Sequence, residues 1–398
     1  MKKWFSAFLV GLAVLAICVA PAMAEDTVKV GIILPLTGSQ ASFGEIEKNS
    51  FDMALAEINA AGGINGTPLE FIYEDDTGRP EVGSSAAEKL ITQDQVVMLG
   101  GGYSSSVCAN IASTAESNAM PFLINTGSAD NITEHGYQYV FRLNPPASEY
   151  PKATESFLQD VVQPETCAIL FENSNFGTSS SDKFKALCER LGIEVVLFEA
   201  YEHGAVDFKP LLIKVKAANP DIIYMVSYVM DASLIMKQSV QLQITPQAFI
   251  GGGAGFTLPE FQENAGSASE KVFSATLWYQ TMPYEGAQEY YDKYMEQFGA
   301  PTEYHGAEAY AAAYVIADVL TRTASFSNDD IRTALSETNM ETVFGHVEFI
   351  SYDEKTNQNS VPTYMVQWID GQLELVWPED VQSAPYVYPI DWAAEWQQ

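Results

Sequence analysis

Three consecutive serines, Ser104, Ser105 and Ser106, follow Gly100-Gly101-Gly102-Tyr103 at the end of a short apolar segment, 96–99. Hydroxyls at a helix start, beside its free N–H groups, suit the binding of a carboxylate or similar anion. A second polar loop, Asn125-Thr126-Gly127-Ser128, follows the next apolar segment, 121–124, and can offer further hydroxyl and amide donors to the same anion. Serine is also a common N-cap, so each loop alone fits plain capping equally well. Arrangements that would carry catalysis are missing. The four histidines, His135, His203, His305 and His346, form no HExxH pattern, and none has a second histidine nearby. The serine triplet lacks the flanking glycine of a nucleophile elbow. Gly251-Gly252-Gly253-Ala254-Gly255 does not match GxGxxG, and no Walker lysine follows a glycine-rich loop. The expectation is a binding protein and not an enzyme, with no cofactor and no metal.

The elements that must hold these loops follow one rhythm. VKVGIILPLTGSQASFG, 28–44, reads as a buried strand (28–34) ending at Pro35 and opening into a polar loop, with a helix over 45–61. Strand, polar loop and helix then recur: strands at 69–73, 96–99, 121–124 and 139–143, with helices at 80–92 and from the serine triplet to about 118. After Asn144-Pro145-Pro146 the pattern restarts, with strands at 167–171, 193–198, 221–226 and 272–276. Helices are expected at 148–161, 207–218 and 231–242, with another running to 191 after a loop at 172–177, and later at 285–298, 305–323 and 328–337. The last strands, 347–350 and 363–368, flank a polar loop at 353–360. Short apolar strands alternating with helices predict an α/β fold with parallel sheets and right-handed crossovers. In such sheets ligands sit at the carboxyl ends of the strands.

The 398 residues suit two domains better than one. Lys2 and Lys3, an apolar run over 4–20 and Ala22-Met23-Ala24 form the order of a secretory signal peptide, with cleavage expected after Ala24. Cys18 is a poor lipid-anchor site because Ile17 precedes it. Removing the two lysines takes the formal charge from -32 to -34. So acidic a chain repels nucleic acid and anionic membranes, and no nucleic-acid partner is expected. Of the cysteines after Ala24, Cys108, Cys167 and Cys188, the last two fall at neighbouring ends of a strand and the following helix. An exported chain allows a disulfide there, and two buried free thiols are the other reading.

The opening stretch, together with AGGINGTPLEFIYEDD, resembles the periplasmic substrate-binding proteins of ABC transporters, specifically the branched-chain amino acid (leucine/isoleucine/valine-binding) family. The resemblance covers nearly the whole chain after Ala24. It implies a type I periplasmic-binding fold: two αβα lobes with parallel sheets joined by a three-stranded hinge. The implied N-terminal lobe holds 25–145 and 277–361, and the C-terminal lobe 146–276 and 362–398. It also implies a periplasmic monomer that delivers a small carboxylated ligand, such as leucine, isoleucine or valine, to an ABC permease. Alternatives within the fold are a binder of aromatic or other amine-free carboxylates, or the ligand-sensing partner of a signalling receptor.

By the same resemblance Ser104, Gly127 and Ser128 hold the ligand carboxylate, and Ser105, at the same helix start, is a further candidate. Phe43, Phe176 and Tyr228 stand where the family presents aromatic rings. The family's acid that pairs with a ligand ammonium is replaced by Gly253. Glu149 and Asp231 are the possible ammonium partners in its place.

Overall fold

The apolar runs of the sequence become the inner strands of two seven-stranded sheets, in a computed structural model that describes residues 27–396. The expected signal peptide, 1–24, lies outside the described residues. Strand Val28–Leu34 is buried at six of its seven positions, because helices cover both faces of its sheet. It pairs in parallel with Leu69–Asp75 on one side and Met98–Gly101 on the other. Phe122–Ile124 and Val140–Arg142 continue the sheet outward, also in parallel.

The polar stretch expected as a loop at 353–360 instead closes this sheet's edge. Ile350–Tyr352 and Lys355–Gln358 form an antiparallel pair, and the latter runs parallel to Val140–Arg142. Side chains explain this polar strand. Gln358 Oε1 accepts from Arg142 Nε at 2.6 Å, and Lys355 Nζ reaches both Asp130 and Glu134 at 3.0 Å.

The second sheet runs Gln372–Trp377, Tyr364–Ile369, Phe273–Thr276, Ala248–Gly251, Ile222–Val226, Thr166–Glu172 and Glu194–Tyr201. Its first two strands are antiparallel to their neighbours and the rest are parallel. The chain leaves the first sheet after Arg142, leaves the second after Thr276, and returns to it after Gln358. A separate hairpin pairs Asn339–Thr342 with Gly345–Glu348, and only its second strand overlaps the strand expected at 347–350.

Helix Ala41–Ala60 starts four residues earlier than its periodicity predicts, so Phe43 and Gly44 fall in its first turn. It packs along Tyr304–Arg322, whose fourteen buried residues include the alanines 307, 309, 311, 312 and 313. Small side chains let the two helices approach closely over the first sheet, where Ile316 fills the space beside Gly100. No described helix is long and apolar enough to cross a membrane.

Candidate functional site

The carboxyl ends of the two sheets face each other across a cleft whose enclosed cavity is small, about 20 Å³. That is room for little more than one water. From the first sheet's side come Tyr103, Ser105, Thr126 and Ser128, and from the second Phe176, Tyr228 and Ala254. Tyr150, Tyr304 and His305 complete the wall. Rings fill most of the cleft. Phe43 stacks on Tyr103 at 4.3 Å between centroids, and Phe176 stacks on Tyr228 at 5.8 Å. Tyr304 stacks on His305 at 3.9 Å. Such contacts add to the burial of large apolar faces while leaving the hydroxyls free to point at polar groups.

Hydroxyls dominate the polar groups of the wall. Tyr103 is 4% exposed, and its hydroxyl has no hydrogen-bond partner. Burial pushes the Tyr103, Tyr228 and Tyr304 hydroxyls well above the ordinary tyrosine range, so each remains a neutral donor. Ser105 Oγ accepts from the amides of Ser128 and Ala129, both at 3.0 Å, which leaves its own proton available to a ligand oxygen. His305 Nδ1 lies 2.7 Å from Glu303 Oε1, an arrangement that fixes the ring against the cavity.

The residues expected from the sequence divide into three groups. Ser105, Ser128, Phe176 and Tyr228 line the cavity. Phe43, Ser104, Gly127 and Gly253 sit directly behind that wall. Ser104 is the N-cap residue of helix Ser105–Ser117, and its side chain makes no capping hydrogen bond. Gly127 spends its amide on the Gly102 carbonyl at 3.0 Å and its carbonyl on Arg142, so neither group is free for a ligand. A side chain there would meet Cys108 Sγ at 2.4 Å. The third group lies elsewhere. Glu149 accepts from Tyr352 at 2.8 Å and Ser360 at 2.9 Å and pairs with Lys152, away from the cavity wall. Asp231 faces His203 and Glu172. Neither is placed to meet an ammonium in the cavity. Cys167 and Cys188 are brought together as two buried free thiols, not as a disulfide.

Gly253 has φ 84° and ψ -150°, a backbone region that essentially only glycine adopts. A Cβ built on it would lie 3.4 Å from both the Tyr150 ring and the Tyr304 hydroxyl. Those two tyrosines occupy the space that a longer side chain would need.

Sequence reasoning missed Tyr103, Thr126, Tyr150, Tyr304 and His305. Tyr103 stood between the glycine run and the serine triplet and was the readable one. Behind Thr126 lie two buried glutamates. The Thr126 hydroxyl is 2.7 Å from Glu47 Oε1 and 3.0 Å from Glu308 Oε2. Burial without a cation raises Glu47 to about 8 and Glu308 well above the carboxylate range, which favours the neutral form of each. Among the described residues, no carboxylate lines the cavity itself.

Polar contacts bind the lobes together around the cleft. Ser179 Oγ donates to Asp130 Oδ2 at 2.9 Å, and Asn175 Nδ2 to Asn131 Oδ1 at 3.0 Å. Thr257 Oγ1 donates to Glu303 Oε2 at 3.0 Å, and the Ala254 amide to the Tyr304 hydroxyl at 2.9 Å. With so little room inside, the cleft is closed in this form. A larger recess of about 290 Å³, lined by Trp278, Trp368 and Tyr291, lies on the far side of Glu303. It lacks the convergent donors of the strand ends, and we place the site in the cleft.

Comparison with known proteins agrees with this architecture. A family model described as periplasmic binding protein matches residues 27–372. A Leu/Ile/Val-binding protein homolog 7 from Brucella melitensis biotype 1 is 26% identical over 385 residues, covering 93% of this chain and 96% of the relative. The branched-chain amino acid substrate-binding protein LivJ from Streptococcus pneumoniae, in complex with isoleucine, superposes with a TM-score of 0.81 at 24% identity, over 89% of this chain and 100% of that one. A solute-binding protein of an ABC transporter from Rhodopseudomonas palustris BisB5, in complex with 3,4-dihydroxy benzoic acid, gives 0.79 at 22% identity, over 92% and 99%. The matched span takes in the first sheet, the second sheet up to its edge strand Gln372–Trp377, and every loop of the cleft, and the chain belongs to the periplasmic binding protein family, with the type I fold.

Proposed function

We propose that this protein is the periplasmic solute receptor of an ABC importer, and that its ligand is a small aromatic carboxylate without an amine. The observation that carries the choice is Gly253. Its backbone conformation excludes a side chain, and Tyr150 and Tyr304 fill the space beyond it. A buried ammonium needs a paired acid, because desolvating an uncompensated charge is severe. Among the described residues the cavity wall offers hydroxyls, one imidazole and aromatic faces, and no carboxylate. These groups fit a carboxylate on a flat ring. The Tyr103 and Ser105 hydroxyls donate to its oxygens, and Tyr228 and Phe176 pack on the ring, with Phe43 backing Tyr103 from behind. The dihydroxybenzoate complex of the Rhodopseudomonas neighbour supports such a ligand in this fold.

The lobes on this reading are 25–145 with 277–361 and 146–276 with 362–398. They part at the hinge near Asn144 to take up ligand, and they close to present a surface to the permease.

A second reading has one specific support. Glu47 and Glu308 stand one hydroxyl behind the wall. If either ionises toward an ammonium, a branched-chain amino acid becomes the ligand, as the names of the Brucella and Streptococcus relatives would have it.

Calorimetry decides between the two. Benzoate, 3,4-dihydroxybenzoate and phenylacetate are titrated beside leucine, isoleucine, phenylalanine and their deaminated analogues. The expected result is that aromatic acids bind and that removing the amine from an amino acid does not weaken it. Amino acids binding at least tenfold tighter than their deaminated analogues overturns the proposal.

A further inference from the structure

Beside the cleft, but outside its cavity, three chemically matched side chains converge. Strand Thr166–Glu172 ends in Glu172, strand Glu194–Tyr201 runs on to His203, and the first turn of helix Val229–Leu242 presents Asp231. Glu172 is 0% exposed and Asp231 1%, while the His203 side chain is 40% exposed. His203 Nδ1 lies 3.2 Å from Glu172 Oε2 and 3.3 Å from Asp231 Oδ2. One ring N–H can serve only one of these oxygens. Glu172 receives the hydrogen bond, and Asp231 Oδ2 is buried without one. Two buried carboxylates therefore share, at most, one positive charge.

The donor atoms also have the spacing of a coordination shell. All three lie within 4.8 Å of one another. Nitrogen and oxygen donors on Zn²⁺, with bonds of about 2.1 Å, sit roughly 3.0–3.4 Å apart. Two of the three edges here already fall in that range. A metal between them would satisfy Asp231 Oδ2 and balance both carboxylates.

We propose that Glu172, His203 and Asp231 form a divalent transition-metal site, with Zn²⁺ the cation best matched to one imidazole and two carboxylates. The metal takes the place of the Nδ1 proton, which passes to solvent. Nε2 then carries the remaining N–H and donates to Ser39 Oγ, 3.1 Å away. Ser39 stands in the loop after strand Val28–Leu34, on the other side of the cleft. An outer partner of this kind fixes the ring and its tautomer. The metal thus clasps the closed form, because the Ser39 contact exists only when the lobes meet.

The test uses the metal-stripped full chain and Zn²⁺ alone, with excess Mg²⁺ present to occupy weak sites on the acidic surface. Calorimetry should show one Zn²⁺ per chain, weakened at least tenfold in both His203→Gln and Asp231→Asn. His203→Gln leaves two unpaired carboxylates and can unfold the lobe. Asp231→Asn keeps the Glu172–His203 pair, so it carries the test once circular dichroism shows it folded. Ser39→Ala should weaken Zn²⁺ roughly tenfold, as loss of an outer partner does. It should also abolish the fall in radius of gyration that Zn²⁺ produces in the unsubstituted protein. Absence of Zn²⁺ binding, or stoichiometric binding that survives folded Asp231→Asn, overturns the site. An unchanged radius of gyration with Zn²⁺ bound overturns the clasp.

Discussion

Replacing Glu47 by glutamine should make the protein more stable at pH 8 than at pH 5, relative to the unsubstituted chain. Glu47 is 0% exposed, its Oε1 accepts from Thr126 at 2.7 Å, and its Oε2 has no partner. Desolvation is the main cause that raises its carboxyl from 4.5 to about 8, with Glu303 and Asp76 adding repulsion. The unfolded chain releases this proton near 4.5, whereas the folded chain holds it until about pH 8. Between those values the folded state binds more protons, so stability falls as pH rises and is level outside the window. Each pH unit across the window costs about 1.4 kcal/mol, so the whole span costs up to about 5 kcal/mol. Glutamine has the shape of the neutral acid and no proton to lose. It should remove this slope while keeping the Thr126 contact, leaving the share that Glu308 contributes. Urea unfolding of both proteins at pH 5, 6, 7 and 8 reads the difference directly. Parallel stability curves for the two proteins would show that Glu47 is already ionised in the fold, and the reasoning about its burial would fail.

Tyr103→Phe should have effects of opposite sign on folding and binding. Removing a buried hydroxyl that has no partner should leave the ligand-free protein as stable or about 1 kcal/mol more so, while binding of a carboxylate weakens roughly tenfold. Loss of stability with unchanged affinity would take Tyr103 out of the site. Ser105→Ala should destabilise by about 1–3 kcal/mol, because the Ser128 and Ala129 amides lose their acceptor, and should weaken the ligand more than Ser104→Ala does. Equal affinities for the two variants would contradict the placement of Ser105 on the cavity wall. Arg142→Met should cost about 3–5 kcal/mol in urea unfolding, since it strands the Gly127 and Ala129 carbonyls and Gln358 in the interior. A cost below about 1 kcal/mol would mean that water replaces the guanidinium.

Periodicity reads elements well where one physical cause dominates. Phe122–Ile124 and Ile222–Val226 are short, apolar and buried at every position, and the sequence displays each as an uninterrupted run. It fails where side-chain partners distant in sequence decide the outcome. Lys355–Gln358 carries four polar residues and reads as a loop, yet it forms a strand because Arg142, Asp130 and Glu134 are waiting for it. The site divides along the same line. Ser105 and Ser128 follow apolar strands, so their setting is local and visible. Tyr150, Tyr304 and His305 reach the cavity only because the chain crosses between the sheets, which no local pattern reveals.

Gly253 joins these two kinds of information. A glycine in a run of glycines reads, by itself, as a vacancy that a larger ligand can fill. The folded chain has already filled part of it, with Tyr150 arriving from the crossing near Asn144 and Tyr304 from the long helix that covers the first sheet. Tyr304 then accepts the Ala254 amide, so the hydroxyl beside Gly253 also ties one lobe to the other. Ligand choice and lobe closure therefore meet in one residue. A longer side chain at position 253 would crowd the Tyr304 hydroxyl that accepts the Ala254 amide, so a substitution there should disturb a contact between the two sheets' sides of the cleft.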